Sequence, residues 1–303
     1  MSESAGGARA VLLVTHMGRP EATETARTAA RRLLDAGIEV RVPAHEADGL
    51  PSLGVVPVAA VPGAASGCEL VVVVGGDGTL LRGAELARGS GAALLGVNLG
   101  HVGFLAEAEP EDLSSVVDRL VAREYSVEER MTLEVSVLRN GTESMHNWAV
   151  NEASVEKRSR ERLIELVVEV DGRPLSRWGC DGVVCATPTG STAYAFSAGG
   201  PVVWPEVQAL LMVPLSAHAL FARPLVVAPT SVLAVELVPG TAPGVLWWDG
   251  RRTADLEPGD PIETRRSAEP LRLARIHRKP FTDRLVRKFD LPVTGWRGRS
   301  DRP

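Results

Sequence analysis

The first third of the chain alternates between short runs that are apolar at every position and longer stretches that are apolar at helical spacing. Ala10 to Val14 reads as a strand, and residues 21–36 read as a helix that stops at Gly37. Ile38 to Val42 is the next strand, followed after an interval by Leu70 to Val74, a helix over residues 80–87, and a strand over Ala92 to Val97. Pro110 opens a further helix running to about Arg123. Strands that are apolar throughout are buried on both faces, and strand alternating with helix implies a parallel sheet covered by helices. Residues 45–66, rich in proline, glycine and alanine, predict no element.

The pattern changes near residue 127. Residues 132–138, 163–170, 225–228 and 231–238 read as short alternating strands. Between the strands stand turn pairs: Asn140-Gly141, Asp171-Gly172, Pro239-Gly240, Asp249-Gly250 and Pro258-Gly259. This part is mainly β, a sandwich or folded sheet. From Pro280 the chain turns helical and basic, and is expected to pack back on the first domain. The expected division is an α/β domain over 1–126, a β-rich domain over 127–279, and a returning segment 280–303.

Composition narrows the function without naming it. A chain of 303 residues holds two domains, and 45% hydrophobic with 23% charged residues is an ordinary balance. A net charge of −5 argues against nucleic acid as the main partner. The only lysines are Lys157, Lys279 and Lys288, so a polyphosphate in the first half must be held by backbone amides, arginine or a metal ion. Cys68, Cys180 and Cys185 are odd in number and scattered, which suits a reducing cytoplasm and fits neither a disulfide framework nor a zinc site. The six histidines never pair at ligand spacing, and no apolar run has signal-peptide or membrane-spanning length.

The chemistry concentrates in residues 71–79, Val-Val-Val-Val-Gly-Gly-Asp-Gly-Thr. A β-branched strand runs into a turn of small residues and then a helix, the arrangement that brings backbone N–H groups up to phosphate oxygens. Asp77 stands out there, because a carboxylate repels phosphate unless it serves a metal or a proton transfer, and phosphoryl transfer needs both. The plainer alternative is a tight turn closed by an Asx bond. A second signal is Thr187-Pro188-Thr189-Gly190-Ser191-Thr192-Ala193-Tyr194, four hydroxyls within six residues followed by an aromatic ring. It reads as a hydrogen-bonding platform for a ribose or base, with Tyr194 stacking, or else as a Ser/Thr-rich hairpin loop. Asn151-Glu152 and Asp181-Gly182 are smaller signals, each an ordinary turn when taken alone. Gly96 to Gly103 fits neither the dinucleotide fingerprint nor a P-loop, and reads as a second glycine turn at the strand ends.

Taken together, Gly75-Gly76-Asp77-Gly78-Thr79, Gly96 to Gly100 with Gly103-Phe104-Leu105, Asn151-Glu152, and Thr187 to Tyr194 with Ser197 to Pro201 resemble the bacterial, actinobacterial-type NAD kinases in order and spacing. The glycine-aspartate turn is shared with diacylglycerol and sphingosine kinases; the Thr187 to Tyr194 motif is far more specific. The resemblance implies an NAD kinase/diacylglycerol kinase-like fold with a cleft between two domains, and ATP- and Mg²⁺-dependent phosphorylation of the 2′-hydroxyl on the adenosine ribose of NAD, giving NADP. By position, Asp77 would be the general base, and Gly75, Gly76, Gly78 and Thr79 would line the ATP phosphates. Asn151, Glu152, Asp181, Thr192, Ala193, Tyr194 and Ser197, with Asp77, Gly78, Arg82 and Arg162, would hold NAD. No protein metal cage is implied. A cytoplasmic homodimer or homotetramer is, because family sites are completed by a neighbouring subunit. Gly179 and Arg251 depart from the family pattern, where arginine and glutamine are common. A lipid or sphingoid kinase and a non-catalytic NAD(H)-binding module are the competing readings.

Overall fold

The computed structural model describes residues 9–16, 18–51, 53–98, 103–106, 113–160, 162–276 and 280–293. The expected helix start at Pro110, residues 99–102 of the glycine loop and the end of the C-terminal segment lie outside the described residues. The chain forms two units, Met1–Glu128 with Arg272–Pro303, and Glu129–Leu271.

The first unit begins β1 (Ala10–Thr15), α1 (Pro20–Asp35), β2 (Glu39–Pro43), a 3-10 helix (Ala44–Gly49), β3 (Val56–Val58), β4 (Leu70–Val74), α2 (Asp77–Ala87), β5 (Ala93–Val97), α3 (Leu113–Ala122) and β6 (Ser126–Arg130). The second unit carries β7 (Leu133–Arg139), β8 (Thr142–Ala149), β9 (Glu152–Lys157), β10 (Ile164–Val170), β11 (Arg173–Cys180), β12 (Gly182–Ala186), a 3-10 turn (Thr189–Thr192) and the short α4 (Tyr194–Ser197). It continues through β13 (Leu210–Leu215), β14 (Leu225–Val227), β15 (Leu233–Leu237), β16 (Gly244–Trp248), β17 (Arg252–Leu256) and β18 (Pro261–Arg266). The chain then returns to the first unit with β19 (Leu271–Arg275) and α5 (Phe281–Phe289).

In the first unit the sheet order is β3-β2-β1-β4-β5-β19-β6, and the pairs among β1 to β5 are all parallel. Alternate residues of β4 serve opposite layers. Val72 and Val74 join the core with α1 and α3, whereas Val71 and Val73 face Gly83 of α2. A Cβ on Gly83 would stand 2.7 Å from Val73, so glycine lets α2 lie close on the sheet. The winding reverses between β1 and β4, and at such a switch the C-terminal strand ends form a ligand crevice. The glycine-aspartate turn leaves β4 at that edge. Because β19 is a buried strand of this sheet, the chain returns at residue 271, before the expected boundary at 280.

The second unit is two six-stranded sheets, β11-β10-β15-β18-β7-β8 and β14-β13-β12-β9-β16-β17, packed face to face. Alternation along β9 sends Ala153 and Val155 into the shared core and leaves Glu152, Ser154 and Glu156 on the opposite face. Three Asx-Gly pairs, 140–141, 171–172 and 249–250, all have both residues at positive φ. They close the β7–β8, β10–β11 and β16–β17 hairpins as type I′ turns do.

Candidate active site

Asp77 is the first residue of α2, with Gly76 at the N-cap. The amides of a first helical turn lack intrahelical acceptors and suit an anion. The Asp77 carboxylate is fixed from the side by the loop after β5. Phe104 N–H donates to Oδ2 at 2.9 Å, and Leu105 and Ala106 N–H donate to Oδ1 at 3.2 and 3.4 Å. Two glycines permit this approach. A Cβ on Gly103 would collide with the Asp77 carboxylate, and one on Gly96 would meet Leu80 at 2.7 Å and the Ala106 backbone at 2.9 Å. The Gly75 amide donates to Val97 O at 2.9 Å, so the turn and β5 are tied together. Gly78 is exposed at the head of the helix, and Thr79 is buried beneath it against Gly75.

Arg82, one turn and a half along α2, is engaged by the fold. Its guanidinium donates to Glu46 Oε1 at 2.5 Å and to Thr15 O at 2.7 Å, and Glu46 Oε2 accepts the Thr15 amide at 2.7 Å. Glu46 is 2% exposed. Burial pushes its carboxyl up, while Arg82 and the Thr15 amide pull it down. This knot ties the end of β1 to α2 beside the glycine turn. Glu46 lies in the stretch that shows no sequence periodicity, so no pattern announced it.

In the second unit, Asn151 and Glu152 stand where β9 begins. Asp249, at φ 53° in the β16–β17 turn, aims its carboxylate at them. It accepts the amides of Val150 at 2.9 Å, Asn151 at 2.7 Å and Glu152 at 3.4 Å. Glu152 is buried, its Oε2 has no partner among the described residues, and it accepts the Tyr194 amide. Burial first, then the Asp249 charge, push Glu152 up to about 8. Burial raises Asp249 as well, against three amides and Arg252. Glu152 has the poorer set of donors, so burial raises it against less opposition than it meets at Asp249.

The 187–197 segment is built differently from the expected platform. Thr187 and Ser191 are fully buried and turn inward. Thr187 Oγ1 donates to Val150 O at 2.7 Å and accepts the Gly190 amide at 3.0 Å; Ser191 Oγ donates to Pro188 O at 2.7 Å and accepts the Val203 amide at 2.9 Å. A turn buried this deeply must satisfy its own backbone polar groups, and these two hydroxyls do so. Thr192 and Ala193 are half-buried, and Tyr194 and Ser197 are exposed. The Tyr194 hydroxyl bonds Glu156, and burial with the charges of Glu156 and Glu152 raises its pKa.

Asp181 pairs with Lys157 at 2.5 Å, an ion pair that sequence spacing did not reveal. Arg162 is exposed in the β9–β10 loop. Gly179 bridges to His218, whose amide donates to its carbonyl at 2.8 Å. Arg251 is exposed in the β16–β17 hairpin turn. Among the described residues no three His, Cys, Asp or Glu side chains converge to hold a metal, and no helix is long and apolar enough to cross a membrane.

Known proteins share both units. Residues 11–125 match the profile of the ATP-NAD kinase N-terminal domain, and residues 150–276 that of the ATP-NAD kinase C-terminal domain. An NAD kinase 2 of Streptomyces coelicolor is 63% identical over 292 residues, which is 96% of this chain and 97% of that protein. An NAD kinase of Thermobifida fusca is 60% identical over 301 residues, 96% and 92% of the two chains. Among solved structures, yeast NADH kinase complexed with NADH gives a TM-score of 0.81 at 25% identity, covering 93% of this chain and 87% of that one. An NAD kinase from Archaeoglobus fulgidus in complex with ATP gives 0.70 at 26% identity, covering 94% and 100%.

Proposed function

The chain belongs to the ATP-NAD kinase family, and from that premise we propose how its residues divide the work of phosphorylating NAD to NADP with ATP. Asp77 is the general base. It takes the proton from the 2′-hydroxyl of the adenosine ribose as that oxygen bonds to the γ-phosphorus of ATP and ADP leaves. The observation that carries this reading is the Asp77 carboxylate at the head of α2, held by three loop amides beside a glycine turn that suits phosphate. A base held in place contributes roughly two to four decades in rate.

Gly75, Gly76, Gly78 and Thr79 form the phosphate turn. Asn151, Glu152, Asp181, Thr192, Ala193, Tyr194 and Ser197 hold NAD, with Gly78, Arg82 and Arg162 as further contacts. In that set burial and the Asp249 charge favour the carboxylic acid form of Glu152, the form able to donate a hydrogen bond to a ligand. Mg²⁺ fits a site whose protein share is small, since it is commonly held through substrate phosphates and one or two carboxylates. When bound it neutralises charge on the triphosphate. The protein is a homo-oligomer in this reading. Trp204, Val207, Leu220, Phe221 and Val226 leave large apolar side chains exposed along one stretch of the second unit. Three free, buried thiols suit a cytoplasmic protein.

The test is incubation with NAD and MgATP, scored for NADP with an NADP-specific dehydrogenase. NADP accumulation supports the reading; phosphorylation of diacylglycerol or a sphingoid base without NADP formation contradicts it.

A further inference from the structure

The loop that holds Asp77 is itself held on its far side. In a trans peptide the N–H and C=O point opposite ways, so a peptide group that donates to Asp77 offers its oxygen in the other direction. Both peptide groups in question find an arginine there. The peptide joining Phe104 and Leu105 gives its N–H to Asp77 and its oxygen to Arg284 Nη1, at 2.7 Å. The peptide joining Leu105 and Ala106 gives its N–H to Asp77 and its oxygen to Arg275 Nη1, at 2.9 Å. Each peptide is thus aligned between a cation and a carboxylate, the orientation in which both hydrogen bonds strengthen its dipole.

Arg275 ends β19 and Arg284 is on α5, so both belong to the C-terminal return. Packing repeats the arrangement. The Phe104 ring lies against Phe281 and Phe289 of α5, with centroids 5.7 and 6.1 Å away. Phe281, Arg284 and Phe289 lie at helical spacing on one side of α5 and converge on Phe104. Arg275 is 5% exposed, and its Nε pairs with Glu128 at 2.7 Å, which fixes its direction.

We propose that the C-terminal return, through Arg284, Arg275 and the aromatic clamp on Phe104, is a positioning device that sets the Asp77 carboxylate for catalysis. This rests on reading Asp77 as the base. Arg284, Arg275, Phe281 and Phe289 act through the 103–106 loop, as positioning residues.

The test uses full-length Arg284→Ala, Arg284→Lys and Phe289→Leu, each checked for folding by melting temperature. Loss of alignment at a distance costs rate more than binding, so Arg284→Ala should lower kcat by about tenfold or more, with KM for NAD and for MgATP within about twofold. Arg284→Lys, which keeps a donor for the Phe104 carbonyl, should recover at least about threefold of that loss, and Phe289→Leu should lower kcat by a few-fold. In long incubations the double variant Asp77→Asn with Arg284→Ala should be within about twofold of Asp77→Asn alone, because the arginine acts through the aspartate. Unchanged kcat in folded Arg284→Ala or Phe289→Leu, or a double variant another tenfold slower than Asp77→Asn, overturns the proposal. Should Arg284→Ala fail to fold, Arg284→Lys and Phe289→Leu carry the same decision. Normal turnover by Asp77→Asn instead overturns the base assignment itself, so the two failures are distinguishable.

Discussion

Burial and the neighbouring Asp249 push Glu152 up to about 8, against an ordinary value of 4.5, and this has a consequence for stability. Between those values the folded chain keeps a proton that the unfolded chain releases. The stability it contributes is complete below the ordinary value and is lost as pH rises through the folded one. Melting temperature should therefore decline from about pH 5 to about pH 8.5, and Glu152→Gln should flatten part of that decline. Asp249 and Glu46, raised in the same direction by burial, contribute to the remainder. Parallel slopes for variant and wild type, measured by scanning fluorimetry, would contradict this. At the same scale, Tyr194→Ala should raise KM for NAD more than KM for ATP, since the exposed ring borders Glu152 and Glu156. Equal rises, or none for NAD, would count against that placement. Asp77 was legible in the sequence because glycines isolate it at a strand end. Its partners were not, because amides 27 to 29 residues away leave no local signature.

Elements with a strong period were readable in advance. The 70–74 strand is where its β-branched run predicts, and the Asx-Gly pairs at 140–141, 171–172 and 249–250 close hairpins. Elements defined by distant partners were not. β3 is three residues containing Pro57 at a sheet edge, and β19 declares its sheet only through its distant neighbours β5 and β6. The hydroxyl cluster at 187–192 was legible as unusual, yet its inward half serves the turn's own backbone. That turn is packed tightly enough to test. A Cβ on Gly190 would strike the Asn151 backbone, so Gly190→Ala should cost about 1–3 kcal/mol and displace Asn151. Urea denaturation together with KM for NAD checks both effects; an unchanged midpoint with unchanged KM would mean that the turn is looser than described.

For the whole molecule, two architectures read from the pattern change near residue 127 are both present, and family membership joins them in one activity. The returning C-terminal stretch was legible as helical and basic, but not as the support behind the Asp77 loop. If substrate phosphates hold the metal, the nucleotide-free protein should bind Mg²⁺ with a Kd of about a millimolar or weaker by calorimetry. MgATP should then restore full activity after EDTA treatment and dialysis, and a stoichiometric tightly bound metal found by elemental analysis would contradict the account. The central claim is that a single carboxylate in the phosphate turn takes the proton from the NAD ribose. Its most direct measurement is the turnover number of Asp77→Asn beside its NAD affinity by calorimetry. The account predicts a kcat lower by roughly two to four decades, with Kd for NAD within several-fold of wild type. Turnover at the wild-type rate would contradict it.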